Sequence, residues 1–175
     1  MFVTTKGFKK LIKASWETAG LTVGADEEEY FFEGGSWVIR IQKDCLPNKE
    51  KAAVVELAGE LPQTGSVFTA KKKCPNQYVI PVNPAWDIGE QIQEAKEQFN
   101  ITKALYETDS YQMRVLQNAK TNLCVPISEE FISMIDFRAV DEYNEEIPTG
   151  PWGRGGYDVL EKQRYDYGGM PYKSR

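Results

Sequence analysis

The hydrophobic period changes at Gly20, and that change limits the folds open to this chain more than any other feature. Before it, Phe8, Leu11, Ile12, Ser15, Trp16 and Ala19 share one face of a helix predicted over Gly7 to Ala19, while Lys6, Lys9, Lys10 and Lys13 form a stripe on the other. After it, Leu21 to Val23, Tyr30 to Phe32 and Trp37 to Ile41 are short β-type runs, separated by turn residues at Asp26 to Glu28 and at Gly34 and Gly35. The order is helix, then a three-stranded meander. Cys45-Leu46-Pro47 ends the last strand, Asn48 is placed to cap a helix over Lys49 to Ala58, and Gly59 closes that helix before Pro62.

The same order is expected again further on. Asp87 to Phe99 has Ile88, Ile92, Ala95 and Phe99 at helical spacing, with Asp87 and Glu90 suited to a capping box. Ile101 to Tyr106, Tyr111 to Leu116 and Leu123 to Val125 then read as a second meander, Cys124-Val125-Pro126 answers Cys45-Leu46-Pro47, and Ser128 precedes a helix with Phe131, Ile132, Met134 and Ile135. Short strands at Phe2 to Thr4 and Tyr78 to Ile80 precede the two first helices. The fold class expected is α+β, a duplicated β-α-β-β-β-α unit with pseudo-repeats at 1–62 and 77–140 inside a single body of residues 1–147.

From residue 148 onward glycine and proline alternate with aromatics, which predicts an irregular tail over 148–175 with at most a helical turn near Val159 to Gln163.

The totals narrow the function classes. The chain of 175 residues has no histidine, which removes the commonest general base and metal ligand. Cys45, Cys74 and Cys124 are odd in number and far apart, so neither a disulfide framework nor a zinc pattern is expected, and the two strand-end cysteines read as small buried hydrophobes in a reducing, cytoplasmic setting. No apolar run approaches the length of a membrane span, and Met1 to Lys6 lacks the basic-then-apolar pattern of a cleaved signal. No membrane association, metal or cofactor is expected. A formal net charge of −5 opposes nonspecific attraction to nucleic acid, so direct nucleic-acid binding is not the first expectation.

Four constellations stand out. Asp87, Glu94 and Lys96 have the residue types of metal-dependent nucleases, but Glu94-Ala95-Lys96 falls in a predicted helix and reads as a solvated face. The lysine stripe, extended by Lys71 to Lys73, is the nucleic-acid-contacting alternative. Asp26, Glu27, Glu28 and Glu29 form an acidic run able to mimic spaced phosphates toward a partner protein, and another acidic group gathers near Asp141 to Glu146. In the tail, Trp152, Arg154, Tyr157, Tyr165, Tyr167 and Tyr172 are of the types that dominate binding hot spots, for a partner or for self-association into a homo-oligomer.

The element order of residues 2–125 resembles the domains of DNA sliding clamps, whose corresponding helices are basic and line the DNA channel. Lys6 to Lys13 comply with that pattern, and Glu90, Glu94 and Glu97 depart from it. In size, acidity and lack of a catalytic motif the chain is also similar to small phage-encoded anti-defence proteins, including anti-CRISPR proteins. The resulting expectation is a nonenzymatic module that binds a protein, such as a host nucleic-acid-handling machine, and inhibits it. The alternatives are a clamp-like nucleic-acid-contacting protein and an enzyme with an unfamiliar Asp/Glu/Lys site.

Overall fold

A computed structural model describes residues 3–35, 37–79, 97–109, 111–118 and 120–136, and the backbone of 152–154 and 157–159. The protein is mixed α+β with two antiparallel five-stranded sheets, and its contacts divide it into two compact units, Val3–Ala85 and Trp86–Arg175.

The first unit begins with α1 (Thr5–Glu17), capped by the Thr4 hydroxyl, which accepts from the Gly7 N–H at 3.0 Å. Thr4 therefore caps a helix where a strand residue was expected. The helix ends where Gly20 donates its N–H to the Ser15 carbonyl at φ +117°, a conformation that favours glycine, and Ala19 is left exposed. The meander follows as β1 (Leu21–Ala25), β2 (Glu29–Glu33) and β3 (Val38–Gln42). Next comes α2 (Asn48–Ala58), with Pro47, not Asn48, at the cap position and Gly59 in the left-handed region at its end. A strand that the sequence pattern did not disclose, β4 (Val67–Ala70), pairs with the free side of β1, and β5 (Gln77–Val79) pairs with β4.

The order is β3-β2-β1-β4-β5. Register places Val23 beside Phe32 and Phe68, and Phe32 beside Ile39, so one face is a continuous apolar layer. Phe8 of α1 meets Phe32 edge to face at 5.2 Å, α2 packs against α1, and Phe8, Ile12, Leu21, Val23, Phe32, Leu46, Val54 and Phe68 are all buried. Each such side chain contributes about 1.5–3 kcal/mol by leaving water.

The strand at Tyr78 thus closes the first sheet and does not open the second repeat. Its tether is visible: the Tyr78 ring packs on Phe68, its hydroxyl donates to Glu60, and Asn76 Nδ2 donates to the Ala58 carbonyl at 2.8 Å.

The second unit contains β6 (Glu97–Glu107), β7 (Gln112–Asn118), β8 (Cys124–Ser128), a short α3 (Glu129–Ser133), β9 (Trp152–Arg154) and β10 (Tyr157–Val159). Residues 97–99 are strand, not the end of the predicted helix; the rest of that helix, 87–96, lies outside the described residues. Phe99 and Ile101 alternate with polar neighbours, and the sheet uses that period, burying Phe99 against Leu116 and Ile132. The start of the expected tail is likewise regular, since β9 and β10 pair with each other and β9 pairs with Glu97 and Gln98. Val159 is therefore in a strand and not in the helical turn expected there. The order is β10-β9-β6-β7-β8. In each sheet the first meander strand is central, the meander runs out on one side, and a later pair of strands fills the other.

Candidate functional site

The acidic run is first of all a turn. Asp26 Oδ1 accepts from the backbone N–H groups of Glu28 at 2.9 Å and Glu29 at 2.6 Å, and its other oxygen accepts from Arg40 at 3.0 Å. Arg40 also pairs with Glu29 at 2.9 Å. Partial burial opposes ionisation of Asp26, but the two N–H groups and the guanidinium outweigh it and lower its pKa. Two of the four acidic residues thus shape the β1–β2 connection, leaving Glu27 and Glu28 as its exposed charges.

The lysines of α1 lie where helical spacing predicts: Lys6, Lys9, Lys10 and Lys13 are exposed, opposite buried Phe8, Leu11, Ile12 and Ser15. The β4–β5 turn is fastened to the end of this helix through Lys72. Its N–H donates to the Trp16 carbonyl at 3.0 Å, its ammonium pairs with Glu17 at 2.7 Å, and the same ammonium lies 5.7 Å from the centre of the Trp16 ring. The hydrogen bond from Lys72, then its charge, lowers the pKa of Glu17. Lys71 to Lys73 are therefore beside the helix that carries the other lysines.

A third surface escaped the sequence reading. Between the pairs Ile101–Leu116 and Leu105–Arg114, three β6 residues face the single β7 residue Val115, which makes a bulge. Several bonds brace it. Thr102 Oγ1 donates to the Val115 carbonyl at 2.7 Å and accepts from the Ala104 N–H at 3.1 Å, while Arg114 reaches the Thr102 carbonyl at 3.2 Å and grips Glu129 with Nε at 2.7 Å and with Nη2. The hydrogen bond from Arg114 lowers the pKa of Glu129. Beyond the bulge the hairpin ends in a short arm, flanked by β8 as far as the Met113–Ser128 pair and closed by Thr108 and Tyr111 through N–H to O at 2.8 Å and N–H to Oγ1 at 3.0 Å. It exposes Leu105 at 44%, Tyr106 at 43% and Tyr111 at 64%, and from Ala104 to Met113 its only charges are Glu107 and Asp109. The signal was present as Leu-Tyr and Tyr flanking the Asp109 turn, but it read as ordinary strand.

No family model, curated protein or solved structure matches the chain.

Of the tail candidates, Trp152, Arg154 and Tyr157 have their backbone in β9 and β10, whereas Tyr165, Tyr167 and Tyr172 lie outside the described residues, as do Asp87, Glu94, Lys96 and the acidic group near Asp141. The cysteines depart from expectation: Cys124 is exposed and Cys45 half-buried, because both fall where a strand meets a turn. Among the described residues no three His, Cys, Asp or Glu side chains converge enough to hold a metal ion, and no helix is long and apolar enough to cross a membrane. Glu50, in the first turn of α2, is buried with both carboxylate oxygens lacking a hydrogen-bond partner.

Proposed function

We propose that the protein is a nonenzymatic binding module that inhibits or regulates a nucleic-acid-handling protein by occupying its surface, and that it arose by duplication of a β-α-β-β-β-α unit, each copy followed by a further pair of strands. The β6–β7 arm carries this reading. Exposed aromatic side chains on a braced strand pair lose little conformational freedom on binding, and such residues dominate protein–protein hot spots. The acid-only tip adds a preference for a partner with basic residues around an apolar cleft, the surface expected of a protein that holds nucleic acid. An anti-defence role, like that of the small phage-encoded inhibitors, is the specific form proposed. The common strand order of the two sheets is the support for duplication.

The test is affinity purification from a native-like lysate with the full chain, its Tyr106→Ser/Tyr111→Ser variant and a Tyr165→Ser/Tyr167→Ser/Tyr172→Ser variant, with thermal melts beside them. A nucleic-acid-binding protein retained by the wild type and the tail variant but lost from the arm variant, with unchanged melting, is the expected result. Loss from the tail variant alone would move the contact to the tail.

A further inference from the structure

The first unit carries a second, oppositely charged surface that the arm does not use. Lys6, Lys9, Lys10 and Lys13 follow i, i+3, i+4, i+7 spacing, so they form one row about 10 Å long on the outer side of α1. The apolar residues of α1 other than half-buried Trp16 and exposed Ala14 turn inward, so this face has little to insert into a lipid layer. The β4–β5 turn lengthens the row. Its fastening to Trp16 and Glu17 holds Lys71 and Lys73 at the C-terminal end of the helix, and Cys74 closes the turn with its N–H on the Lys71 carbonyl at 3.0 Å. Lys73 has φ +62°, a left-handed conformation that costs a side-chain-bearing residue about 1–2 kcal/mol relative to what glycine would meet there. A lysine in that strained position, on a turn tied to a lysine helix, points to use of its charge.

Glu17 is the one carboxylate on α1; it pairs with Lys72 and also lies within reach of the charge of Lys13, while Asp26 and Glu29 are engaged by Arg40. The net charge of −5 therefore hides a segregation: residues 3–85 hold 11 basic and 10 acidic side chains, and residues 86–175 hold 10 and 16.

We infer that the face formed by Lys6, Lys9 and Lys13 with Lys71 and Lys73 is a binding surface for the phosphate backbone of duplex nucleic acid. A row of this length spans about three successive phosphates of one strand. Trp16, the aromatic ring nearest the row's end, lies under Lys72, so contact is through charge and not through base stacking, and binding is indifferent to sequence. This goes beyond the protein-binding reading, since it places nucleic acid on the first unit while the arm of the second engages protein.

The experiment titrates a fluorescent mixed-sequence DNA duplex of about 20 base pairs with the full chain at several salt concentrations. Binding is expected to weaken by about a hundredfold between 50 and 200 mM salt, as about four neutralised phosphates require. The variant Lys6→Glu/Lys9→Glu/Lys13→Glu is expected to lose more than about tenfold in affinity at the lower salt, and Lys71→Glu/Lys73→Glu somewhat less. Lys103→Glu/Lys120→Glu, which alters the second unit, serves as the control and should bind like the wild type, with circular dichroism checking that all variants fold. No duplex binding at low salt would overturn the assignment. So would an equal loss in the control, which would show only the effect of net charge, or tighter binding to phosphatidylserine vesicles than to the duplex.

Discussion

The central strand of the first unit, β1, is buried along nearly its whole length with the 13-residue α1 against it, whereas the central strand of the second, β6, has 11 residues of which Phe99 alone is buried. Both occupy the same place in the same strand order. The lesson is that order does not decide surface. Where a central strand stops with its core, the unit offers the outer faces of its helices; where it runs on past a braced bulge, its exposed end carries Leu105 and Tyr106. Charge follows the same division, with lysines on the helix of one unit and an acid-only arm tip on the other.

The largest effects should come from the cores and test whether the two units are separate bodies in solution. Phe8→Ala removes a ring packed edge-on against Phe32 and should cost about 3–5 kcal/mol; Leu116→Ala in the second core should cost about 2–5 kcal/mol. Differential scanning calorimetry is expected to show two transitions, each lowered by its own substitution. A single transition lowered by both would make the units one cooperative block.

A gain is expected from Glu50. The positive end of α2 favours an acidic residue there by about 0.3–1 kcal/mol, less than the roughly 1–3 kcal/mol that an unpartnered buried polar group costs. Glu50→Met, which keeps the length and removes the oxygens, should therefore stabilise the first unit by about 1–2 kcal/mol in urea denaturation and leave the second unchanged. A loss of stability would mean that the carboxylate serves a partner or a function. No described residue of the second unit has an equivalent orphaned carboxylate, so the effect belongs to the first unit alone.

How much of this was legible depended on how each segment is bounded. The meander strands β1 to β3 and β7 to β8 are flanked by Gly, Asp, Asn and Pro, which stop a strand for stated steric reasons, and they fall within a few residues of where the pattern puts them. β4 is four residues long, too short for its alternation to register against Gly65 and Lys71. Phe99 satisfies a helical period with Ala95 and a strand period with Ile101, and only the tertiary partners Leu116 and Ile132 decide between them. Of the candidate surfaces, the lysine row was fully legible because helical spacing fixes it. The place of Asp26 in a turn was legible, but its ion pair was hidden, since its partner Arg40 is two strands away. The arm was hidden too, because its bulge rests on a bond from Thr102 to Val115 across the pair.

The smallest expected effect separates the turn from the charge at Asp26. Asp26→Asn keeps an acceptor for the Glu28 and Glu29 N–H groups but gives up the ion pair with Arg40; as that side chain is nearly half exposed, the pair is worth at most about 1 kcal/mol. Asp26→Ala gives up both, and about 1–2 kcal/mol is expected. The ranking Ala worse than Asn, read by urea denaturation at neutral pH, identifies the residue as a turn builder. Acid supplies an independent reading. The folded pKa lies below the unfolded one, so the carboxylate's contribution is present above the ordinary range of about pH 4 and is lost as pH falls through the lower folded value. The wild type should therefore approach the Asn variant in stability as the solution is acidified. A gap that persists unchanged into acid would show that the charge of Asp26 contributes nothing to stability and that its role is the turn alone.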